Sequence, residues 1–481
     1  MLRRCLLLAL IAAALFANHS ALMSPHSNSC LFLGLDCGTS GIRACVINSD
    51  ETVVAEASLL WSQLAGGGNS DNLSALWAAG LDRVISDIPP VCRENLKRIC
   101  ISGTSSTCMI LESTGGGYKV SRQPRMYDYN IIQNGDNPDT SRAIMAIIKD
   151  ATPGDSVVNN PTSTLPKLLS WHRQQALSQK EQIVHQADFL VSLLVDGSPT
   201  QITTDWHNAL KLGYDVNTLS YPKWLFELLK AEGISYIDKL LPTVVEPGRE
   251  VGGVSSALTT KFGIPKECRI VAGTTDSIAA FLASDCEKVG QAVTSLGSTV
   301  AIKMLSEKPV SDPSRGIYSH RLGNRWLVGG ASSVGCAILR KECFSDDELV
   351  ELSSQINPLD PVADAYANYY PLMKTGERFP VNDPNKAPIL EPKPLLPKGR
   401  GVDRRLYLQA ILMSISKIEK EGYDALKQLG ASPLREVFTA GGGSKNGMWL
   451  QMREGLLGVS VRKAKNIDAS FGVAKLAKKF F

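Results

Sequence analysis

Short apolar runs separated by glycine-containing turns recur along this chain. The first run, residues 31–35, is followed by Gly38, Gly41 and a second run at 44–47. Compact runs of apolar and β-branched residues have the pattern of buried strands, so a tight hairpin is expected here. Residues 72–85 have helical spacing instead, with Leu73, Leu76, Trp77, Leu81 and Val84 on one side. Residues 98–102 read as a strand that ends in the polar turn Gly103-Thr104-Ser105-Ser106, and residues 108–112 as the next strand. The pattern predicts helix over about 165–192. The polar and aromatic stretch 205–214 suits a loop over a cleft.

Further on, a strand at 269–272 enters Gly273-Thr274-Thr275-Asp276, and an alanine-rich helix follows at 278–283. The pattern then starts again. Strands at 292–295 and 300–304 flank Gly297 and Ser298, a weak echo of residues 31–47. Residues 437–440 lead into Gly441-Gly442-Gly443, then a helix near 446–457 and a strand at 459–462. Strands alternating with helices, begun twice by a hairpin, predict an α/β protein of two halves with a cleft between them. Pro and Lys crowd residues 384–398, which read as a surface excursion within the second half.

Composition adds bounds to this picture. At 481 residues and 44% hydrophobic, the chain can bury a large core and divide into two or three domains. A net charge of +4 gives no broad basic surface for nucleic acid. Lys475, Lys478 and Lys479 read as the solvated face of a last helix. The eleven cysteines are odd in number and several lie in apolar runs, which favours a reducing compartment; with no Cys-x-x-Cys pair, a zinc or redox motif has no support. Residues 1–30 differ from the rest: Arg3 and Arg4 precede an apolar run at 6–17, and no acid appears before Asp36. The run is too short to span a bilayer, so a targeting segment is expected. Organellar transit, secretion and a cytoplasmic location stay open; the cysteine usage tips the reading towards an organelle.

The candidate chemistry centres on carboxylates beside glycine turns. Asp36, just before the first turn, could hold a hydrated Mg²⁺ against phosphates, while Gly38 and Gly41 permit φ > 0 and Thr39 and Ser40 add hydroxyl donors. An ordinary capped hairpin turn has the same composition. Asp276, at a strand end before a helix, reads either as a base projecting into a cleft or as a helix cap. The glycine triplet at 441–443 reads as a close approach to a ligand or as a tight turn. No Gly-x-x-x-x-Gly-Lys-Ser/Thr occurs, which excludes a P-loop, and no dinucleotide-binding glycine fingerprint is present.

Taken in order, the strand-Asp-x-Gly-Thr start, Gly-Thr-Thr-Asp, Leu-Gly-Ser-Thr and the late glycine triplet resemble the FGGY carbohydrate kinases, a branch of the actin-like ATPase-fold kinases. Gly376-Glu377-Arg378-Phe379-Pro380 resembles a further segment of that family. The resemblance is greatest to the xylulose-kinase-like branch of plant plastids and cyanobacteria, for which D-ribulose is the expected sugar. It implies two actin-like, ribonuclease H-like domains around a central cleft, over 31–283 and 284–456, with 457–481 packing back on the first. It implies ATP and Mg²⁺, a small-molecule sugar, no nucleic acid or membrane partner, and a monomer or homodimer. Asp276 would be the catalytic base. Asp36, Gly38, Thr39, Arg43, Gly297 and Ser298 would serve the phosphates and metal, with Asp36 also touching the sugar. Gly442, Gly443, Asn446 and Trp449 match the adenosine-binding turn and helix, although Trp449 fits equally as a core residue. Where many xylulose kinases carry a Gln- and His-containing turn, this chain has Thr104, Ser105 and Ser106 on the sugar side. D-Xylulose, another ketose or a polyol, and a non-catalytic nucleotide-binding homologue, are the alternative readings.

Overall fold

The computed structural model describes residues 30–64, 72–135, 137–154, 156–196, 202–284, 286–362, 364–391, 393 and 402–481. The expected targeting segment, apart from Cys30, and part of the 384–398 excursion lie outside the described residues.

Strands β1 (Leu31–Cys37), β2 (Gly41–Ile47) and β3 (Val53–Leu60) form an antiparallel meander. Helix α1 (Leu73–Ser86) follows, capped by the Asn72 side chain, and β4 (Leu96–Gly103) pairs with β1 in parallel. A small antiparallel sheet holds β5 (Cys108–Ser113), β6 (Tyr118–Arg125) and β7 (Glu181–His185). Helix α2 (Thr164–Gln174) precedes β7 and α3 (Gln186–Ser192) follows it. The continuous helix expected over 165–192 is therefore broken by a strand. All five residues of β7 are buried, and a short strand buried on both faces lacks the alternation that would mark it.

Two short strands, β8 (Thr203–Asp205) and β9 (Thr243–Val245), pair in parallel, and β10 (Glu250–Gly253) and β11 (Arg269–Thr275) complete the first sheet in the order β10-β11-β4-β1-β2-β3. Helix α4 (Asp276–Leu282) leads to the second sheet. This contains β12 (Gln291–Leu296), β13 (Val300–Ser306), β14 (Tyr318–Leu322), β15 (Arg325–Ala331), β16 (Glu436–Ala440) and β17 (Ser460–Lys463), in the order β14-β15-β13-β12-β16-β17. Two helices of this half are α5 (Val402–Gln428) and α6 (Gly447–Leu457); α7 (Ala469–Lys478) comes last. Both sheets contain three antiparallel strands followed by two parallel ones, β3-β2-β1-β4-β11 and β15-β13-β12-β16-β17. The faint sequence echo between 31–47 and 292–304 is thus a repeat of architecture.

Strand β1 is buried on both faces. Leu31, Leu33 and Leu35 pack with Leu76, Trp77 and Leu81 of α1, while Phe32 packs with Val473 and Ala474 of α7. Gly34 is required on that second face, because a Cβ there would overlap the backbone of Ser470 and Ala474. Helix α4 is held from two sides: Ala279 packs towards α7, and Ile278 and Phe281 pack against Val293, Leu305 and Phe438 of the second sheet.

Two polar stretches depart from expectation. Residues 205–214 are not a surface loop, since Asp205 caps the short helix Trp206–Ala209 and Trp206, His207, Asn208 and Ala209 are all buried. The basic residues of α7 are not merely solvated: Lys475 and Lys478 pair with Glu51, and Lys479 with Glu246. The aromatic stretch resembles a surface pattern in sequence but is buried here, whereas the lysines stay partly exposed in their ion pairs. No disulfide joins any of the ten cysteines among the described residues, and burial pushes the Cys268 thiol up to about 12.

The second half is centred on a fully buried ion pair. Arg453 of α6 donates from Nε and Nη2 to the two oxygens of Glu419 on α5, both at 2.6 Å, and from Nη1 to Thr439 on β16 at 2.7 Å. Thr294 on β12 donates to the same carboxylate at 2.5 Å. Removing one partner strands the other charge without water, which costs about 3–5 kcal/mol. Arg453→Met should therefore lower unfolding free energy by about that amount, and Arg453→Met with Glu419→Gln should recover much of it in urea denaturation. Equal losses in the single and double variants would refute the pairing argument.

Candidate active site

Asp36 lies near the end of β1, just before the hairpin turn, as expected. The registers place it beside Arg43 of β2 and Ser102 of β4. Ser102 Oγ donates to Asp36 Oδ1 at 2.7 Å, and Arg43 Nη1 lies 3.8 Å from Oδ2. Burial pushes the Asp36 carboxyl up to about 6; the Ser102 hydrogen bond pulls against this, the nearby Asp276 charge adds to it, and Arg43 opposes it.

Asp276 is the first residue of α4, immediately after β11. Because β1, β4 and β11 run parallel, Asp36, Ser102 and Asp276 gather at the same ends of adjacent strands. Such ends are where open α/β sheets place ligands. Asp276 Oδ1 accepts the Ser277 N–H at 2.6 Å, so this carboxylate also caps its own helix. Burial raises its pKa, opposed by the Ser277 N–H and by the charges of Lys303 and Lys211. A cavity of about 560 Å³ opens beside it, lined by Arg43, Lys465, Asn466 and Asp468 among others.

The first hairpin turn is clamped from β3. Gly38 N donates to Gly41 O at 2.9 Å, and the Trp61 indole donates to Gly38 O at 3.1 Å. Thr39 and Ser40 are exposed at the tip. Neither Gly38 nor Gly41 has positive φ, contrary to expectation. Gly41 is needed for another reason: a Cβ would overlap the Leu59 carbonyl of β3.

On the expected sugar side, Thr104 is committed internally. Its hydroxyl donates to Gln186 Oε1 at 3.0 Å and lies 2.5 Å from the Thr107 hydroxyl, so it is a positioning residue and not an open ligand contact. Ser105 is half-buried. Ser106 has φ of 67° and a buried Oγ without a partner, leaving a hydroxyl that a ligand can satisfy. Buried Lys167 donates to Ser106 O at 2.9 Å and Met126 O at 2.7 Å, which ties two segments of this wall together.

On the expected nucleotide side, Gly297 and the glycine triplet do meet. Gly441, at φ 80°, packs so closely that a Cβ would overlap Leu296 O and crowd Gly297 N; Gly442 and Ser298 are exposed. Gly443 makes room for Leu296 and Trp449. Two residues take structural roles instead of the adenosine-contacting ones. Trp449 is 1% exposed and donates to Ser416 Oγ at 2.9 Å, which places its ring in the core. Asn446 caps α6 through Trp449 N and donates to Ser353, using both ends of its amide. Gly297, Ser298 and the triplet do not line the cavity at Asp276.

Sequence reasoning missed Ser102, Lys211, Lys303 and His207. Ser102 was within sight, because it precedes the polar turn on a predicted strand. His207 is buried, with Nδ1 2.7 Å from Thr274 Oγ1 and Nε2 2.6 Å from the Arg321 carbonyl, and so links the first sheet to β14. Lys303 Nζ donates to Ser277 O at 2.6 Å. The alternation of β13 could have exposed Lys303: a lysine between Ile302 and Met304 faces a different surface from its apolar neighbours.

Comparison with known proteins agrees with this architecture. Residues 292–478 match the model of the C-terminal domain of the FGGY family of carbohydrate kinases. The chain is 22% identical to the xylulose kinase of Bacillus subtilis (strain 168) over 457 residues, covering 92% of this chain and 87% of that protein. It is 22% identical to the xylulose kinase of Escherichia coli (strain K12), covering 93% and 90%. Among solved structures, it resembles a xylulose kinase from Rhodospirillum rubrum with a TM-score of 0.71 at 18% identity, covering 93% of this chain and 89% of that one. A gluconate kinase from Lactobacillus acidophilus gives 0.70 at 16%, covering 94% and 89%. The fold is thus the two-domain actin-like ATPase fold found in FGGY sugar kinases. The matches support a relation of this chain to the FGGY carbohydrate kinases, whose members are phosphotransferases acting on sugar hydroxyl groups.

The raised pKa of Asp36 couples the site to stability. A carboxyl near 6 when folded and 3.8 when unfolded contributes stability that is fully present below 3.8 and is lost as pH rises through 6. Asp36→Asn carries no such dependence. Between pH 5 and pH 8 the variant should gain about 1.4 kcal/mol relative to the native chain, read by urea denaturation at both values. Parallel responses to pH would remove Asp36 as the source.

Proposed function

We propose that this protein is an ATP-dependent kinase that phosphorylates a hydroxyl of a small ketopentose, with D-ribulose as the first candidate and D-xylulose as the alternative. The observation that carries this reading is the pairing of two carboxylates, buried Asp36 and half-buried Asp276, at the ends of parallel strands beside a cavity that Asp276 and Arg43 line. The names of the relatives favour xylulose. The resemblance to the plant-plastid and cyanobacterial branch motivates ribulose, and the turn at Ser105 and Ser106 departs from the Gln- and His-containing one of many xylulose kinases.

In this reading Asp276 accepts the proton of the attacking hydroxyl. Burial keeps it more basic than an ordinary carboxylate, while the Ser277 N–H and the charges of Lys303 and Lys211 oppose that shift. The exposed Thr39 hydroxyl and the Arg43 guanidinium face the transferring phosphate, with Arg43 offsetting its charge. Sugar kinases of this family use ATP with a divalent metal. Among the described residues no cluster of three metal-ligating side chains occurs, so the donor set does not suit a protein-caged ion. A single carboxylate, Asp36, fits a hydrated Mg²⁺ carried mainly by phosphate oxygens and water. When bound, that ion would neutralise phosphate charge. We further propose plastid localisation, on the acid-free, arginine-containing leading segment; the mature N-terminus of the protein isolated from its native source would decide it.

Purified protein with ATP and Mg²⁺, offered a panel of ketopentoses, ketohexoses and polyols with product identification, tests the reading. We expect phosphate transfer to a ketopentose. Asp276→Ala should reduce turnover by about a hundredfold or more while calorimetric ATP affinity stays within error. Absence of any sugar phosphate would sink the kinase assignment, and joint loss of ATP binding would make Asp276 structural.

A further inference from the structure

A second cavity, of about 460 Å³, is lined by residues of both halves. Lys211 comes from the first half, Lys303 and Tyr318 from β13 and β14, and Arg378 from the segment that crosses beneath them. No Asp or Glu lines it. Asp276 lies near enough for its charge to act on both lysines, yet it does not line this wall. Arg43 and the phosphate-side turns are absent from it as well.

The segment carrying Arg378 is held firmly. Buried Glu377 accepts from Ser332 Oγ at 2.6 Å, Ser333 N at 2.7 Å and Tyr370 OH at 3.1 Å, while Phe379 fills space left by Gly330 and Gly422. This anchoring fixes the backbone on either side of Arg378 and leaves its side chain exposed at the cavity. Gly329, Gly330 and Ala331 also line it, the two glycines being required by close packing behind the wall, against the Ile302 carbonyl and the Phe379 ring. Buried His320 contributes an Nδ1 that has no partner, a polar atom that a ligand oxygen could satisfy. Three cations around one cavity without a lining carboxylate repel one another and lose hydration, a cost relieved by an anion.

We propose that this cavity is an oxyanion subsite that receives the carboxylate or phosphate of an acidic sugar derivative, so the chain binds sugar acids or sugar phosphates more tightly than the neutral polyol of the same carbon skeleton. Lys303 and Arg378 supply charge-assisted hydrogen bonds to the anion, and Lys211 approaches it from the opposite half. The inference rests on the sugar occupying the cleft described above, but it does not require phosphoryl transfer.

Calorimetry of the full chain without nucleotide, at low salt and neutral pH, tests it with ribitol, ribonate, ribitol 5-phosphate and inorganic phosphate. We expect one or both acidic sugars to bind at least about tenfold more tightly than ribitol. Ribonate alone showing the advantage identifies a carboxylate ligand; ribitol 5-phosphate alone, supported by inorganic phosphate competition, identifies a phosphate ester. Arg378→Met should remove most of that advantage without weakening ribitol; Lys303→Met should also remove it, and Lys303→Arg should restore it. Arg378 is exposed, so its variant remains informative if Lys303→Met fails to fold. Equal affinity for ribitol and both acidic sugars, no binding by any of them, or an advantage untouched by Arg378→Met overturns the proposal. If acidic sugars bind in this way but no sugar is phosphorylated, the subsite stands and the kinase reading falls; if a neutral ketopentose is phosphorylated and acidic sugars gain nothing, the reverse holds.

Discussion

The close packing of backbone against backbone around α7 is the constraint on which the rest of the site depends. Gly34 lets Ser470 and Ala474 approach β1, and Gly472 lets Ala279 of α4 approach in turn. Helix α4 is thereby pressed against the first sheet while its other face, through Ile278 and Phe281, packs on the second. Asp276 stands at the start of that helix. Its position relative to Asp36 follows from two glycines far apart in the chain, each allowing contact that any side chain would block.

Buried polar groups fix this geometry in a way that apolar packing alone would not. Ser102 orients Asp36, Gln186 holds the turn at Thr104, and Glu377 holds the segment before Arg378. In the second half the Glu419–Arg453 pair ties α5, α6, β12 and β16 at one point. Each group gains directional partners in place of water, and each loses them if its neighbour shifts by an ångström or so. The cleft therefore has rigid walls built from both halves, joined through α4 and the His207 contact to Arg321.

Much of this was legible in the chain. The runs at 31–35 and 44–47, the strand before Asp276 and the glycine triplet all fall on the expected elements, because short apolar runs between glycines leave few other structures. The repeat of the hairpin was visible for the same reason. Other features were hidden because tertiary context decides them. Strand β7 has no alternation to reveal it, since it is covered on both faces. Trp449 could have met a nucleotide or the core; only the position of α5, which accepts its indole N–H, separates these. Thr104 looked available as a hydroxyl, but Gln186, 82 residues away, takes it. The cationic cavity brings together Lys211, Lys303 and Arg378, which no local pattern connects.

The placement of α7 also orders events during synthesis. A ribosome delivers Gly34 and the whole meander of the first sheet long before it delivers Ser470 and Ala474, so one face of β1 waits for its cover. Phe32, Cys45, Ile47, Cys100 and Val271 stay exposed on that face while the second half is made. An incomplete sheet with an apolar face is a surface that chaperones hold and that self-association exploits. The half that emerges first is finished last, and the nascent chain must remain soluble through the interval.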